Sequence, residues 1–230
     1  MTVAGRIVYI WDPKTQALLR RLSDVPFDAL DERDRHVLEK DRYNCPPASH
    51  LPVVARRDGR NELVVARWGF PIPQRPSGVF NARIENVASS GLWRGMWGAG
   101  HCAFVVRGFY EWRRDDRTPF FLHRTDGQPM VLGGLVGERT VQGETKLCFS
   151  LVTCPPNGTV ARVHDRMPVV LEPDDARAWI DAEATGEAAL AGLAVPAAEG
   201  VLSMHPVGPD VGSIHNDRPD LMEPRGPEVV

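Results

Sequence analysis

Residues 51–70 read "LPVVARRDGRNELVVARWGF". Two apolar runs flank a charged turn that contains Asp58-Gly59. An Asp-Gly pair between β-branched runs signals a hairpin, because both turn positions need positive φ. The pattern recurs in "TPFFLHRTDGQPMVLGGLV" at 118–136, around Asp126-Gly127. "KLCFSLVT" at 146–153 and "MPVVLEP" at 167–173 read as further strands. Helical signals are fewer. "DPKTQALLRRL" at 12–22 has Asp12 as N-cap, Pro13 at the first helical position, and Leu18, Leu19 and Leu22 on one face. "PDDARAWIDAEA" at 173–184 opens a helix on proline and acidic residues. "SSGLWRGMW" at 89–97 would put Leu92, Trp93, Met96 and Trp97 on one helical stripe, and the charged 27–41 segment is a surface excursion. Strands outnumber helices. The sequence therefore predicts an α+β fold with a β-rich, curved, antiparallel or mixed barrel-like sheet and flanking helices. No glycine fingerprint follows a first strand, which argues against a doubly wound fold and a nucleotide cofactor.

The 230 residues fit one domain spanning 1–230, with "EPRGPEVV" from about 223 as a loose tail. The formal net charge of −3 excludes a globally basic nucleic-acid binder, so any phosphate site must be a local patch. Of the 27 basic residues only Lys14, Lys40 and Lys146 are lysines. Codon bias accounts for this arginine excess, although arginine also suits bidentate phosphate contacts. Cys45, Cys102, Cys148 and Cys154 form no CxxC pair, so neither a zinc site nor another metal is expected. No stretch approaches the ~20 apolar residues of a membrane span, and a cytoplasmic protein with free thiols follows.

Four segments break the apolar pattern with polar groups. "GFYEW" at 108–112 puts Glu111 among aromatics, where a charged carboxylate is costly without a partner. Such a glutamate has a raised pKa and suits proton transfer near neutral pH. "FNARIENV" at 80–87 carries Asn81, Arg83 and Glu85, which share a face if the segment is extended. "RVHDRMPVVL" at 162–171 carries His164, Asp165 and Arg166. "DRYNCPPASH" at 41–50 carries Arg42, Tyr43 and Asn44 before a proline loop. Taken singly, each reads as a turn, a salt bridge or a satisfied structural residue. Together, Asn81, Glu111 and His164 make a proton-handling set, and arginines with Trp68 suit a phosphate backbone and a stacked base.

"WGF" (68–70), "NARIE" (81–85), "HC" then "GFYEW" (101–112), "TDGQP" (125–129), "VT" (152–153), "HDRMPVVL" (164–171) and "HPV" (205–207) occur in an order and spacing that resembles the SOS response-associated peptidase family, the abasic-site processing proteins. The likeness runs from about Gly5 to Glu223. It implies a β-rich α+β fold with a narrow basic channel for single-stranded DNA, no cofactor, and cross-linking to abasic sites. In that chemistry an N-terminal cysteine supplies an amine for a Schiff base and a thiol that closes it to a thiazolidine. The family has also been proposed to process itself, removing residues before the cysteine. By resemblance the catalytic set is Asn81, Glu111 and His164. Arg6, Arg83 and Arg166 would hold phosphates, Trp68 would stack or wedge at the lesion, and Asn44 and Thr153 would line the channel.

One departure matters. The family begins Met-Cys-Gly-Arg, whereas this chain reads "MTVAGR", which sets Ala4 at the nucleophile position. "HC" at 101–102 and Val105 are smaller departures. Three explanations stand: a degenerate nucleophile position on a DNA-binding scaffold, a misassigned or altered start, or a substitute group. Thr2, exposed by Met removal, carries an amine and a hydroxyl for an abasic lyase. Cys45 reads as a buried hydrophobe rather than a replacement thiol. The function classes are thus an abasic-site cross-linker or lyase with peptidase ancestry, and a non-catalytic single-stranded DNA binding module.

Overall fold

The computed structural model describes residues 4–72, 75–141 and 143–230. The first elements are β1 (Arg6–Tyr9), α1 (Pro13–Leu22) and α2 (Glu32–Glu39). Next come β2 (Arg42–Cys45), β3 (His50–Arg57), β4 (Arg60–Trp68), β5 (Phe70–Ile72), β6 (Arg75–Val79) and β7 (Asn81–Arg83). Strands β8 (His101–Val106), β9 (Gly108–Trp112), β10 (Pro119–Arg124), β11 (Met130–Val141) and β12 (Glu144–Cys154) follow. The remainder carries α3 (Gly158–Ala161), β13 (Met167–Pro168), β14 (Val170–Leu171), α4 (Pro173–Ile180), α5 (Ala182–Thr185), α6 (Glu187–Leu193) and β15 (Leu202–Pro206).

Five strands close into a barrel. β12 pairs with β4, β4 with β3, β3 with β8, β8 with β11, and β11 returns to β12. Only the β4–β12 contact in this ring is parallel. Phe104, Phe149 and Trp68 pack together, with Phe104–Phe149 centroids 5.4 Å apart and Trp68 stacked 6.4 Å from Phe149. A second sheet runs in the order β15-β10-β9-β1-β2. The chain crosses from barrel to sheet between β8 and β9 at Gly108. A Cβ there would lie 2.4 Å from the Leu122 carbonyl oxygen, so only glycine fits. The expected α+β architecture with a barrel-like sheet is present.

The 51–70 hairpin forms as read. Arg57 faces Arg60 across a turn in which Asp58 (φ 48°) and Gly59 (φ 78°) are both left-handed. Helix α1 is capped as expected, Asp12 Oδ1 accepting from Thr15 N at 2.7 Å. The second hairpin does not form. β10 pairs with β9 and β15, whereas β11 belongs to the barrel. Pro129 offers no N–H to a ladder. The Gly127 carbonyl accepts instead from Lys14 Nζ (3.0 Å) and Arg107 Nη1 (2.9 Å), which anchors the turn between sheets. The strand read at 167–173 is divided: Met167–Pro168 joins β12 and Val170–Leu171 joins β11.

Three further expectations are corrected. Residues 89–97 form successive turns rather than a helix, although Trp93 and Trp97 are buried. The 80–87 segment is extended only to Arg83 and then turns, so Glu85 leaves the face it would share with Asn81. The tail is docked. Met204 and Val229 exchange both backbone hydrogen bonds (2.8 and 2.7 Å), and Arg225 N donates to Pro206 O at 2.8 Å. The C-terminal segment also covers a small second core of Val8, Tyr110, Phe121, Val207, Val211 and Leu221. Among the described residues no helix is long and apolar enough to cross a membrane, and no cluster of three or more potential metal ligands occurs.

Candidate functional site

β9 fixes the geometry. Alternation sends Phe109 and Glu111 to the main-core side and Tyr110 to the second core. The aromatic neighbours of Glu111 are therefore Phe109, two residues back on the same face, and Phe120, its Cα partner on β10. Tyr110, its sequence neighbour, points the other way. Glu111 is 2% exposed, and Ala4 is fully buried. Glu111 Oε2 accepts from Ala4 N at 2.9 Å, and Oε1 accepts from its own neighbour, Trp112 N, at 3.0 Å. Burial pushes the Glu111 carboxyl up to about 7, against the opposing pull of these two amides. A carboxyl there exchanges a proton readily at neutral pH. Ala4 adopts φ 49°, a left-handed conformation that alanine seldom takes, held by the carboxylate that receives its N–H.

His164 lies on the loop between α3 and β13 and is 1% exposed. Its Nδ1 accepts from Arg166 N at 3.0 Å, and its Nε2 is buried without a partner among the described residues. Burial lowers its pKa, which favours neutral imidazole. The loop after Glu111 and the His164 loop face each other across a cleft of about 380 Å³, lined among others by Arg113, Arg114, Arg162, His164 and Asp165. An Arg114–Asp165 ion pair spans it. Arg6 begins β1 two residues beyond Ala4, opposite Tyr110, with Nη1 on the Gly5 carbonyl at 3.0 Å.

The parallel β7–β12 pairing brings a second group together. Asn81 is half-buried opposite Leu151, and exposed Arg83 lies opposite Thr153. Arg166 makes a bidentate pair with Glu85 (2.5 and 2.9 Å) and donates to Thr153 O at 2.6 Å. Thr153 is buried, with Oγ1 donating to Ala82 O at 3.3 Å. The 164–166 loop joins this group to His164.

Two expected site residues lie elsewhere in role. Trp68 has no exposed surface. Its ring stacks on Phe149, and Nε1 donates to Phe80 O at 3.2 Å, so no face is open to a base. Barrel closure through β4 and β12 buries it, and its bond fixes the residue before Asn81. Asn44 is buried on β2, and its Nδ2 reaches the carbonyls of Val211 (3.1 Å), Ser213 (2.9 Å) and Asn216 (3.0 Å). It fastens the C-terminal segment rather than presenting to a channel. Thr2 lies outside the described residues. Cys45 is buried and its thiol is pushed up by burial, as a small hydrophobe would be. Sequence reading missed Arg114, because "RRDDR" at 113–117 looks like an ordinary solvated charge run.

Comparison with known proteins bears on this geometry. The profile of the SOS response associated peptidase (SRAP) family matches residues 3–214. The abasic site processing protein YedK of Escherichia coli (strain K12) is 32% identical over 189 residues, covering 80% of this chain and 84% of that protein. The abasic site processing protein YMR114C of Saccharomyces cerevisiae is 29% identical over 221 residues, covering 88% of this chain and 59% of that one. A crystal structure of a Bacteroides thetaiotaomicron protein superposes with a TM-score of 0.75 at 18% identity, covering 96% of this chain and 99% of that one. The last likeness shows the fold; the profile and the sequence relatives show descent. The chain belongs to the SOS response associated peptidase family.

Proposed function

We propose that the chain binds single-stranded DNA and takes abasic sites into the pocket bounded by Ala4, Glu111 and His164. The observation that carries this reading is the 2.9 Å contact between the Glu111 carboxyl and Ala4 N. It sets a group that titrates near neutrality against the position where the family's chemistry begins. The abasic-site names of the relatives supply the substrate class. Arg6 and Arg83 are the phosphate ligands of this reading, and Arg166 joins them by exchanging Glu85 for a phosphate. Asn81 borders the same site.

Alanine carries no thiol, so a thiazolidine cannot close at Ala4. In this chain its nitrogen is also a peptide amide, acylated by Val3. The reading is therefore a DNA-damage binding protein whose cross-linking step is lost at the nucleophile while the pocket persists. Abasic single-stranded DNA separates the outcomes. Native gels should show binding that weakens steeply with salt, and denaturing gels should show no covalent band. Deleting Thr2 and Val3 together with Ala4→Cys should restore a heat-stable band after Met removal. A heat-stable band from the unaltered chain, or no DNA binding at low salt, would contradict the reading. A band seen only after borohydride reduction would point to an amine instead, with Thr2 the first candidate.

A further inference from the structure

His164 Nδ1 is claimed by two groups that ask for opposite protonation. The Arg166 amide N–H, 3.0 Å away, needs a lone pair on Nδ1. The Asp165 carboxylate, with Oδ1 at 3.2 Å, would be satisfied by a proton there. A ring nitrogen has one in-plane site and can serve only one of them. The amide is part of the main chain, and burying it unpaired is costly. The carboxylate has an alternative: Asp165 Oδ1 is bonded by Arg114 from across the cleft.

We propose that Arg114 is a positioning residue: by holding Asp165 it leaves His164 Nδ1 to the Arg166 amide and fixes the neutral imidazole with its proton on Nε2. Nε2 is the atom that no described protein group accepts from. A buried N–H without a protein acceptor still calls for a partner, which a bound molecule can supply. In this tautomer His164 cannot take a proton through Nε2. It gives a hydrogen bond to a substrate oxygen, and proton uptake falls to Glu111. The assignment rests on the pocket proposed above but concerns the protein without DNA. The other charged groups lining the cleft, Arg113, Asp115 and Arg162, are the same in every variant below. Arg166 itself is held by Glu85 on the far side.

The test is nitrogen NMR of the full chain with ¹⁵N-labelled histidine and no DNA, His164 being assigned by its loss in His164→Gln. Unprotonated Nδ1 and protonated Nε2 are expected through the neutral range. Arg114→Met frees Asp165 and removes a nearby cation. It should populate the Nδ1–H form and raise the imidazolium midpoint by roughly one pH unit. Arg114→Lys should restore the parental titration. Asp165→Asn should keep the Nε2–H form and lower the midpoint, and it decides the matter alone if Arg114→Met does not fold. An Nδ1–H tautomer in the parental chain would overturn the proposal, as would an Arg114→Met titration that moves neither tautomer nor midpoint. So would an Asp165→Asn midpoint that stays or rises. None of these outcomes depends on DNA binding, so failure here is distinct from failure of the abasic-site reading.

Discussion

Two groups of buried polar side chains in this molecule look alike in sequence and differ in what they have left to give. Asn44 Nδ2, Thr153 and the two terminal nitrogens of Arg166 are spent, although Asn44 Oδ1 and Arg166 Nε are buried without a partner among the described residues. Asn44 holds three carbonyls of the C-terminal segment, and Arg166 holds Glu85 and the Thr153 carbonyl. Glu111 and His164 are not spent. Each Glu111 oxygen receives one amide and keeps a lone pair, and His164 Nε2 has no partner among the described residues. The first group makes structure through its donors. The second retains bonding capacity while buried, which costs stability.

This contrast can be broken by substitution. The largest effect is expected at Asn44. Asn44→Ala strands three carbonyls and loosens the segment over the second core, so it should cost about 3 kcal/mol in denaturant unfolding. A loss under ~1 kcal/mol would place Asn44 with the unspent group. Glu111→Gln should change the pH dependence instead. A carboxyl raised from 4.5 to about 7 on folding contributes stability that is fully present below pH 4.5 and lost as pH rises through 7. Replacing it should therefore remove up to roughly 3 kcal/mol of pH-dependent loss between pH 4 and pH above 7, on top of a pH-independent cost, because the glutamine NH2 cannot accept from Ala4 N or Trp112 N. Heat or urea unfolding at the two pH values checks the sign.

His101 supplies the opposite slope and must be separated from Glu111. It lies 5.0 Å from Trp97 and 4.4 Å from Trp179 by ring centroids, and burial pushes its pKa from 6.5 down to about 3. Its contribution is present above pH 6.5 and lost as pH falls through 3. The difference between the parental chain and Glu111→Gln isolates the carboxyl.

Smaller effects follow. Arg166→Met leaves Glu85 and Thr153 O without their donor and should cost about 1–2 kcal/mol. Exposed Arg83→Ala should change stability by under ~0.5 kcal/mol while reducing the salt dependence of DNA binding by about one phosphate contact. A stability loss at Arg83 comparable to that at Arg166 would erase the distinction between them.

Local physics was legible in the sequence. The 51–70 hairpin and the Asp12 cap depend on neighbours within a few residues, and both form as read. The 125–129 turn also forms, but its choice of sheet depends on Lys14 and Arg107, far away in the chain. The docked tail depends on the edge of β15, and the burial of Trp68 depends on the parallel closure of β4 on β12. None of these has a local signature. In the pocket, Glu111 stood out because a carboxylate among aromatics is unusual. Its Ala4 contact spans 107 residues and was legible only through family resemblance. Arg114 and Asp165 read as solvated charges until the fold set them across one cleft.

The most direct test of the contrast is the proton on Glu111. Carbon-detected NMR of the side-chain carboxyl, assigned with Glu111→Gln and followed from pH 4 to 9 in the DNA-free chain, reads it without any assay of function. The account predicts a midpoint near 7, far above the ordinary 4.5. A midpoint at or below 4.5 would mean that the carboxylate is fully satisfied in the fold, and the division between spent and unspent groups would fail at its centre.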